Sequence, residues 1–200
     1  MKPSIQLASI LATLLVTVLA ASSARAADVY RFEMVIFERP NADTGGEVWP
    51  DNPEPPDLGS AVGSLEARSV GGRALGPVAY TLNRRGLPVL EHIAWQQAPR
   101  GRDSEAWYSI SSGRLSGLVR VTRGRYLHFE ADLILRDATS SRPYRIRLYR
   151  RMRSDEVHYI DHPKLGIVIR ADRLQPRSEA DSVDVGEPKP VEPAGTEQPG

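Results

Sequence analysis

Residues 113–153 decide the fold, and they read GRLSGLVRVTRGRYLHFEADLILRDATSSRPYRIRLYRRMR. Apolar side chains alternate with polar ones in three successive segments of this stretch, which is the period of a β-strand with one buried face. Residues 122–125 separate the first two segments, and Gly124 suits the positive φ that tight turns require. The alternation therefore predicts three consecutive strands with an apolar face and an opposite face rich in charged and aromatic groups.

The pairing register of the last two segments follows from the same alternation. If residues 126–135 and 144–153 are antiparallel neighbours, their apolar faces coincide only when paired positions sum to an odd number. We therefore place residue 135 opposite residue 144. The polar pairs predicted by this register are Asp132 with Arg147, Glu130 with Tyr149, and His128 with Arg151. Two interpretations remain open: a solvated outer face of the sheet, or a basic–aromatic surface for a polyanionic or carboxylated ligand.

Further strands and a helix are predicted outside this stretch. Alternating residues at 29–37 and 89–97, and the apolar run at 165–173, indicate strands. Residues 77–85 read as a helix that begins at a proline and is followed by Gly86, a residue suited to the left-handed position after a helix. The expected fold class is α+β, a mainly antiparallel sheet with one or two helices in a single domain, residues 27–176.

Two segments carry weaker signals. Residues 58–75 contain four glycines and are expected to be partly helical. Residues 41–57, rich in proline and glycine, are expected to form a long surface loop.

A turn carrying the sequence HYIDHP is expected at residues 158–163, between two strands.

The two ends of the chain read differently from its body. Residues 1–26 have a basic start, an apolar run and an A-x-A site, which predicts a cleaved signal peptide, export to the periplasm and no membrane span in the mature chain. Residues 177–200 are acidic and proline-rich, which predicts a disordered tail, either passive or partner-binding. The chain has no cysteine, so neither a disulfide nor an acylated lipoprotein anchor is available.

The composition and motifs also limit the classes of function that the sequence supports. A formal net charge of +1 is too weak for nucleic-acid binding, which requires a strong basic patch. A glycan hydrolase would require two facing carboxylates, and Glu130, Asp132, Glu156 and Asp161 are candidates. No spacing singles out one pair among them, and no G-x-S-x-G turn indicates a serine nucleophile. We expect no catalytic residue and no cofactor.

The histidines are the best candidates for a polar site. His158 and His162 are four residues apart with Asp161 beside them, a spacing that suits a metal if the segment is helical. Pro163 disfavours a helical conformation at His162. We therefore expect no metal site, and two roles remain open: a hydrogen-bonded network that orients the turn, or direct contact with a ligand.

Tryptophan and arginine side chains offer further ligand contacts. Trp49, Trp95 and Trp107 could stack on sugar rings or pack in the core or an interface. Trp95 is the best candidate for the core, because it is expected to share a strand face with Val89 and Ile93. Arg150, Arg151 and Arg153 lie close together in the sequence, and their guanidinium groups suit the carboxylates of peptide stems. The alternative is that these arginines pair with acidic residues across the sheet.

In these segments the sequence resembles the CsiV family, peptidoglycan-binding proteins of the bacterial cell envelope. The stretches that carry the resemblance are VIFER at 35–39, EVW at 47–49, PVLEHIAWQQ at 88–97, LSG at 115–117, GRYLH at 124–128, RRMRS at 150–154, HYIDHP at 158–163 and LG at 165–166.

The resemblance implies a periplasmic, non-enzymatic protein that binds peptidoglycan. It also implies a role in cell-wall assembly together with the outer-membrane lipoprotein that activates a class A penicillin-binding protein. Residues that match the family's motifs, and are therefore candidate ligand contacts, are Tyr126, His128, Arg150, Arg151, His158, Tyr159, Asp161 and His162. The alternatives are a cell-wall glycan hydrolase and a protein-only adaptor without glycan affinity.

Overall fold

A computed structural model describes residues 27–40, 46 and 49–175 of the chain. The predicted signal peptide at 1–26, the predicted tail at 177–200 and most of residues 41–48 lie outside the described residues. The domain boundaries that we expect from the sequence therefore stay predictions.

The described residues form nine strands and one α-helix. The strands are β1 (Tyr30–Glu38), β2 (Ala61–Ser64), β3 (Val89–Gln97), β4 (Trp107–Ser112), β5 (Leu115–Arg123), β6 (Leu127–Arg136), β7 (Pro143–Met152), β8 (Val157–Asp161) and β9 (Leu165–Arg173), and the helix is α1 (Gly76–Arg84). Two 3-10 turns, Leu58–Ser60 and Glu66–Arg68, flank β2.

The strands build two sheets. The four-stranded sheet has the order β3-β1-β9-β8 and is antiparallel throughout. The five-stranded sheet has the order β2-β4-β5-β6-β7, and its only parallel pair is β2 with β4. This architecture confirms the expected α+β class with a mainly antiparallel arrangement, although as two sheets rather than one.

The predicted register of β6 and β7 is confirmed. Leu135 lies opposite Tyr144, and this pairing continues residue by residue along both strands. The physical reason is the period-2 alternation: a one-residue slip would move every apolar side chain of β7 to the polar face. The predicted polar pairs are therefore adjacent in the sheet.

The two sheets face each other across one hydrophobic core. Phe32 from β1, Trp95 from β3 and Phe129 from β6 are fully buried there, and the rings of Phe32 and Trp95 stack with centroids 5.1 Å apart. Burying each such side chain contributes roughly 1.5–3 kcal/mol. The prediction that Trp95 is a core residue is confirmed. Because the inner faces meet here, the polar face of β6 and β7 lies on the outside of the five-stranded sheet.

The helix covers the outer face of the four-stranded sheet. Leu75 and Ala79 pack against Val35 of β1. The buried carboxylate of Glu33 fixes the start of the helix, because it accepts hydrogen bonds from the backbone N–H groups of Ala74 and Leu75, both at 2.8 Å. His92 Nε2 lies 2.8 Å from the same carboxylate. These contacts hold α1 and β3 to β1.

The predicted helix at 77–85 is confirmed within one residue at each end. Pro77 occupies the second helical position rather than the first, since α1 begins at Gly76. Gly86 has φ of +75° and lies just beyond the helix, as the sequence predicts.

Three expectations require correction. The segment 58–75 contains two 3-10 turns and strand β2 in place of a partial helix, because residues 61–64 pair with the β4 edge. The expected turn at 158–163 is largely strand β8, which pairs with β9. A bulge at Leu90 turns Val89 toward the helix, so Val89 does not share the core face of Ile93 and Trp95.

Two motif glycines allow close contacts that any side chain would prevent. Gly117 has φ of +153°, and a Cβ there would collide with the backbone of Asp132 and Leu133 in β6. A Cβ at Gly166 would collide with the ring of Phe37.

An ion pair also joins the two sheets, because Arg114, in the β4–β5 turn, pairs with the buried Glu38 of β1.

Within the described residues, no helix has the length and hydropathy that crossing a bilayer requires.

We expect Gly166→Ala to lower the free energy of unfolding by about 1–3 kcal/mol, because the added methyl group overpacks the Phe37 ring. Gly63→Ala is the matched control, since a Cβ there meets no atom within 4 Å. The measurement is urea denaturation. In a Phe37→Leu background the cost of Gly166→Ala should shrink; an unchanged cost would show that the Phe37 contact is not its cause.

Candidate functional site

The outer face of the five-stranded sheet carries the main cluster of charged and aromatic side chains. Strand alternation on β5, β6 and β7 places all of them on the side away from the core. We call this surface the outer face, and its central members are Arg120, His128, Glu130, Asp132, Arg145, Arg147, Tyr149 and Arg151.

Asp132 organises one part of the outer face. Its carboxylate accepts bonds from Arg145 Nε at 2.9 Å and Arg145 Nη2 at 2.8 Å, and from Arg147 Nε at 3.3 Å. Burial alone would raise the pKa of Asp132, but the Arg145 and Arg147 guanidinium groups outweigh it and lower that pKa. Arg145 is thus held in place, whereas the Arg147 side chain stays 69% exposed and available for another carboxylate.

Glu130 organises a second part. Its Oε2 accepts from Arg120 Nη2 at 2.9 Å and from Arg102 Nη2 at 3.2 Å. The Arg120 guanidinium also lies over the ring of Trp107, 4.4 Å from its centroid. The sequence analysis missed Arg102 and Arg120 as members of the site. For Arg120 a signal existed, since it alternates with the apolar Val119 and Val121 on β5; Arg102 comes from a loop, whose path the sequence does not specify.

Aromatic rings occupy the centre of the outer face. His128 Nδ1 lies 2.6 Å from Tyr149 Oη, and the two rings stack with centroids 5.8 Å apart. Tyr149 therefore contacts His128 rather than Glu130, the residue directly opposite it in the register. The Arg151 guanidinium lies 4.7 Å from the centroid of Tyr126. Tyr149 remains 57% exposed, so a ring face and two guanidinium groups are open to a ligand.

Concave regions adjoin this cluster at several places. A small cavity of about 180 Å³ lies over His128, Glu130 and Tyr149. A larger one of about 390 Å³ lies at the end of the sheet, lined in part by Arg125, Tyr126 and Arg153. We call the larger one the end cavity.

Asp28 forms an ionic clamp beside the end cavity. Its Oδ2 pairs with both Arg173 of β9 and Arg123 of β5, so it joins the ends of the two sheets. The hydrogen bonds from Arg173 and then Arg123 lower the pKa of Asp28 to about 2.

A second group of predicted residues lies elsewhere. Tyr159 and Asp161 project from β8 on the helix side of the four-stranded sheet, where Tyr159 stacks on Phe37 with centroids 6.3 Å apart. Asp161 Oδ1 accepts from Tyr159 Oη at 2.7 Å and from Arg39 Nη1 at 2.6 Å. Burial, and then the bond to Asp161, raise the pKa of Tyr159. The structure therefore does not bring this group together with His128 and Arg151, because the two lie on opposite sides of the core.

His158 is buried between the sheets. Only 9% of the residue is exposed, and its Nε2 lies 3.1 Å from both the backbone N and the backbone O of Arg153. This arrangement fits the first of the two roles left open by the sequence, a network that orients the connection between β7 and β8.

His162 and Arg150 complete the set of predicted residues. The His162 ring meets the Trp49 ring edge-on, with centroids 5.3 Å apart, and Trp49 in turn meets Tyr144. Arg150 is exposed but lies on the opposite side of β7 from Arg151, because it pairs with the core residue Phe129. Of the eight candidates, only Tyr126, His128 and Arg151 belong to the surface around the outer face.

The Asp132 carboxylate is held in its ionised form, which does not suit a catalytic acid. A glycosidase acid requires a raised pKa, whereas the pKa of Asp132 is lowered by its arginines. Glu130 is likewise engaged by two arginines. Within the described part of the chain, no group of three or more histidine, aspartate or glutamate side chains could hold a metal ion.

Fold and surface together define a class of protein: a two-sheet α+β domain with an exposed arginine–tyrosine face. The family comparison gives the particular family. The model of the family "Peptidoglycan-binding protein, CsiV" matches residues 64–174, and the chain belongs to that family. The family is peptidoglycan-binding by its description, which names binding and no catalytic activity. No curated protein and no solved structure matches the chain.

We expect His158→Ala to lower the free energy of unfolding by about 1–3 kcal/mol, because it removes a buried ring and leaves backbone groups of Arg153 without a partner. His128→Ala, on the outer face, should cost less. Chemical denaturation of both variants is the measurement. Equal stabilities for the two would contradict a structural role for His158.

The Asp28 carboxylate should titrate in the folded protein near pH 2 when followed by NMR. Because the folded pKa lies below the unfolded value of about 3.9, the clamp stabilises the fold above that value and loses this contribution as pH falls toward 2. Asp28→Asn should remove this part of the acid dependence. A normal titration midpoint would show that the clamp does not form in solution.

Proposed function

We propose that the protein binds peptidoglycan through the outer face of its five-stranded sheet. The observation that carries this assignment is the row Arg147, Tyr149 and Arg151 on β7, in which guanidinium groups flank an exposed ring. Guanidinium groups bind carboxylates bidentately, and stem peptides carry carboxylates. An aromatic face packs on the apolar face of a sugar ring. One surface thus suits both components of the polymer.

The surface is partly preorganised. Asp132 fixes Arg145 and holds the stem of Arg147, and His128 fixes the ring of Tyr149. Side chains that are already held lose less conformational entropy on binding. Their carboxylate partners also limit the net positive charge of the face, so binding depends on the placement of individual guanidinium groups more than on bulk charge.

We further propose that the protein works in the periplasm after removal of residues 1–26, as a non-catalytic factor in cell-wall assembly. Its partner there is the outer-membrane lipoprotein that activates a class A penicillin-binding protein. The support for this part is the family resemblance and the signal-like sequence. The second group, Tyr159, Asp161 and Arg39, lies on the side of the domain away from the outer face and is available to such a partner.

The double variant Arg147→Ala/Arg151→Ala should bind purified sacculi about 5- to 30-fold more weakly than the wild type, since about 0.5–1 kcal/mol is lost at each exposed guanidinium. The matched control is Arg84→Ala/Arg85→Ala, which removes two exposed arginines at the end of α1. Co-sedimentation of residues 27–200 with sacculi over a salt series is the measurement.

The same samples separate the rival functions. Wild-type binding that the outer-face variant does not weaken would contradict the surface assignment. Soluble muropeptides in the supernatant would favour the hydrolase. No sacculus binding, together with capture of the purified lipoprotein activator, would favour the protein-only adaptor.

A further inference from the structure

We propose that the acidic segment after β9 binds intramolecularly at the end cavity, where its carboxylates occupy guanidinium groups that would otherwise be free for peptidoglycan. The segment supplies Glu179, Asp181 and Asp184, with Arg177 as its only cation before Lys189. The part of the proposal that concerns peptidoglycan rests on the function proposed above. The docking itself does not.

Arg125, which lines the end cavity, and Arg151, which lies beside it, have no acidic partner in the described part of the chain. Among the described residues, Arg125 and Arg151 form no ion pair, and both lie over the Tyr126 ring, at 5.7 and 4.7 Å from its centroid. Arg153 has a loose contact with Glu156, 3.7 Å, and its side chain is 69% exposed. Two guanidinium groups over one ring, together with the exposed Arg153 that lines the end cavity, form a site for carboxylates.

The acidic groups already present do not neutralise this site. Asp28 is engaged by Arg123 and Arg173 in the clamp, and Glu156 meets only Arg153. Asp155 is exposed at the rim, in the β7–β8 connection. Arg125 and Arg151 therefore keep an excess of positive charge. About 390 Å³ of open space lies beside Arg125 and Tyr126, and no described side chain fills it.

The chain leaves β9 close to the end cavity. Arg173, the last residue of β9, shares the Asp28 carboxylate with Arg123, and Arg123 lines the end cavity. Leu174 N then donates to Val29 O at 2.9 Å, which fixes the exit point of the chain at this end of the domain. Glu179 is four residues beyond Gln175 and reaches at most about 14 Å, and Asp184 reaches about 30 Å.

Proximity makes such weak contacts sufficient. Exposed ion pairs are each worth about 0.2–1 kcal/mol, so a free peptide of this sequence would bind poorly. A segment tethered beside its site acts at an effective concentration in the millimolar range. The docked segment would then compete with the carboxylates of stem peptides for Arg151 in particular.

A spin label tests the docking directly. The chain has no cysteine, so Ser182→Cys in the mature chain gives a unique attachment site for a nitroxide. At low ionic strength we expect paramagnetic broadening of backbone amides at 123–126 and 151–154. It should fade at about 1 M salt, where the Debye length is about 3 Å. Arg125→Ala/Arg151→Ala should weaken the broadening, and Arg84→Ala/Arg85→Ala should not.

Broadening spread evenly over the domain, or confined to α1, would overturn the proposal. So would broadening that arises only between molecules and grows with protein concentration, because the segment would then dock on a second copy. These outcomes do not depend on peptidoglycan, so the docking can fail or stand independently of the proposed function.

The competition has its own measurement. Neutralising the segment with Glu179→Gln, Asp181→Asn and Asp184→Asn should raise affinity for sacculi at least about twofold, because the binding-competent fraction rises. The gain should vanish in an Arg125→Ala/Arg151→Ala background. A gain of equal size in that background would show a general charge effect and would overturn the competition, whereas a wild type that fails to bind sacculi would overturn the proposed function.

Discussion

The register between β6 and β7 is the constraint on which the rest of the structure depends. It points Phe129, Leu133 and Ile146 into the space between the sheets, and the same alternation points Asp132, Arg147 and Arg151 outward. The buried core contributes the stability. The polar outer face is the opposite side of the same strands, so the alternation that builds the core also places the polar side chains outside. A slip by one residue would destroy both at once, because it would bury the arginines and expose the apolar groups.

Ion pairs with carboxylates then determine which arginine side chains remain available to a ligand. Asp132 and Glu130 hold Arg145 and Arg120, while Arg147, Tyr149 and Arg151 stay open to a ligand. The same pattern holds at the end of the domain. Asp28 pairs with two arginines in the clamp, whereas Arg125 and Arg151 have no ion pair among the described residues. A surface whose carboxylates offset part of its positive charge can therefore still present selected guanidinium groups to a ligand.

Several family motifs contain residues that hold the fold together. The glycine of LSG lets β5 approach β6, the glycine of LG makes room for Phe37, and the first histidine of HYIDHP holds the backbone of Arg153. By contrast, the tyrosine and histidine of GRYLH and the second arginine of RRMRS belong to the surface around the outer face. Residues of the family motifs therefore lie in different parts of the structure.

The sequence by itself determined the elements with strong periodicity: β1, β3, the three strands from β5 to β7, β9, the helix with its glycine, and the register of β6 with β7. It also identified the arginine-rich face, because that face is the necessary complement of the apolar one. Only the tertiary structure decided where β8 lies, and therefore that Tyr159 and Asp161 are on the opposite side of the core from Arg151. Strand β2 depends on pairing with β4, which is distant in sequence, and β8 joins its sheet through β9, whose other partner is the distant β1. Arg102 reaches Glu130 from a loop. Side-chain alternation depends on the local sequence alone, whereas the sheet that a strand joins depends on the packing of the whole chain. The candidate surface residues could therefore be predicted from the sequence. Their division between two surfaces could not.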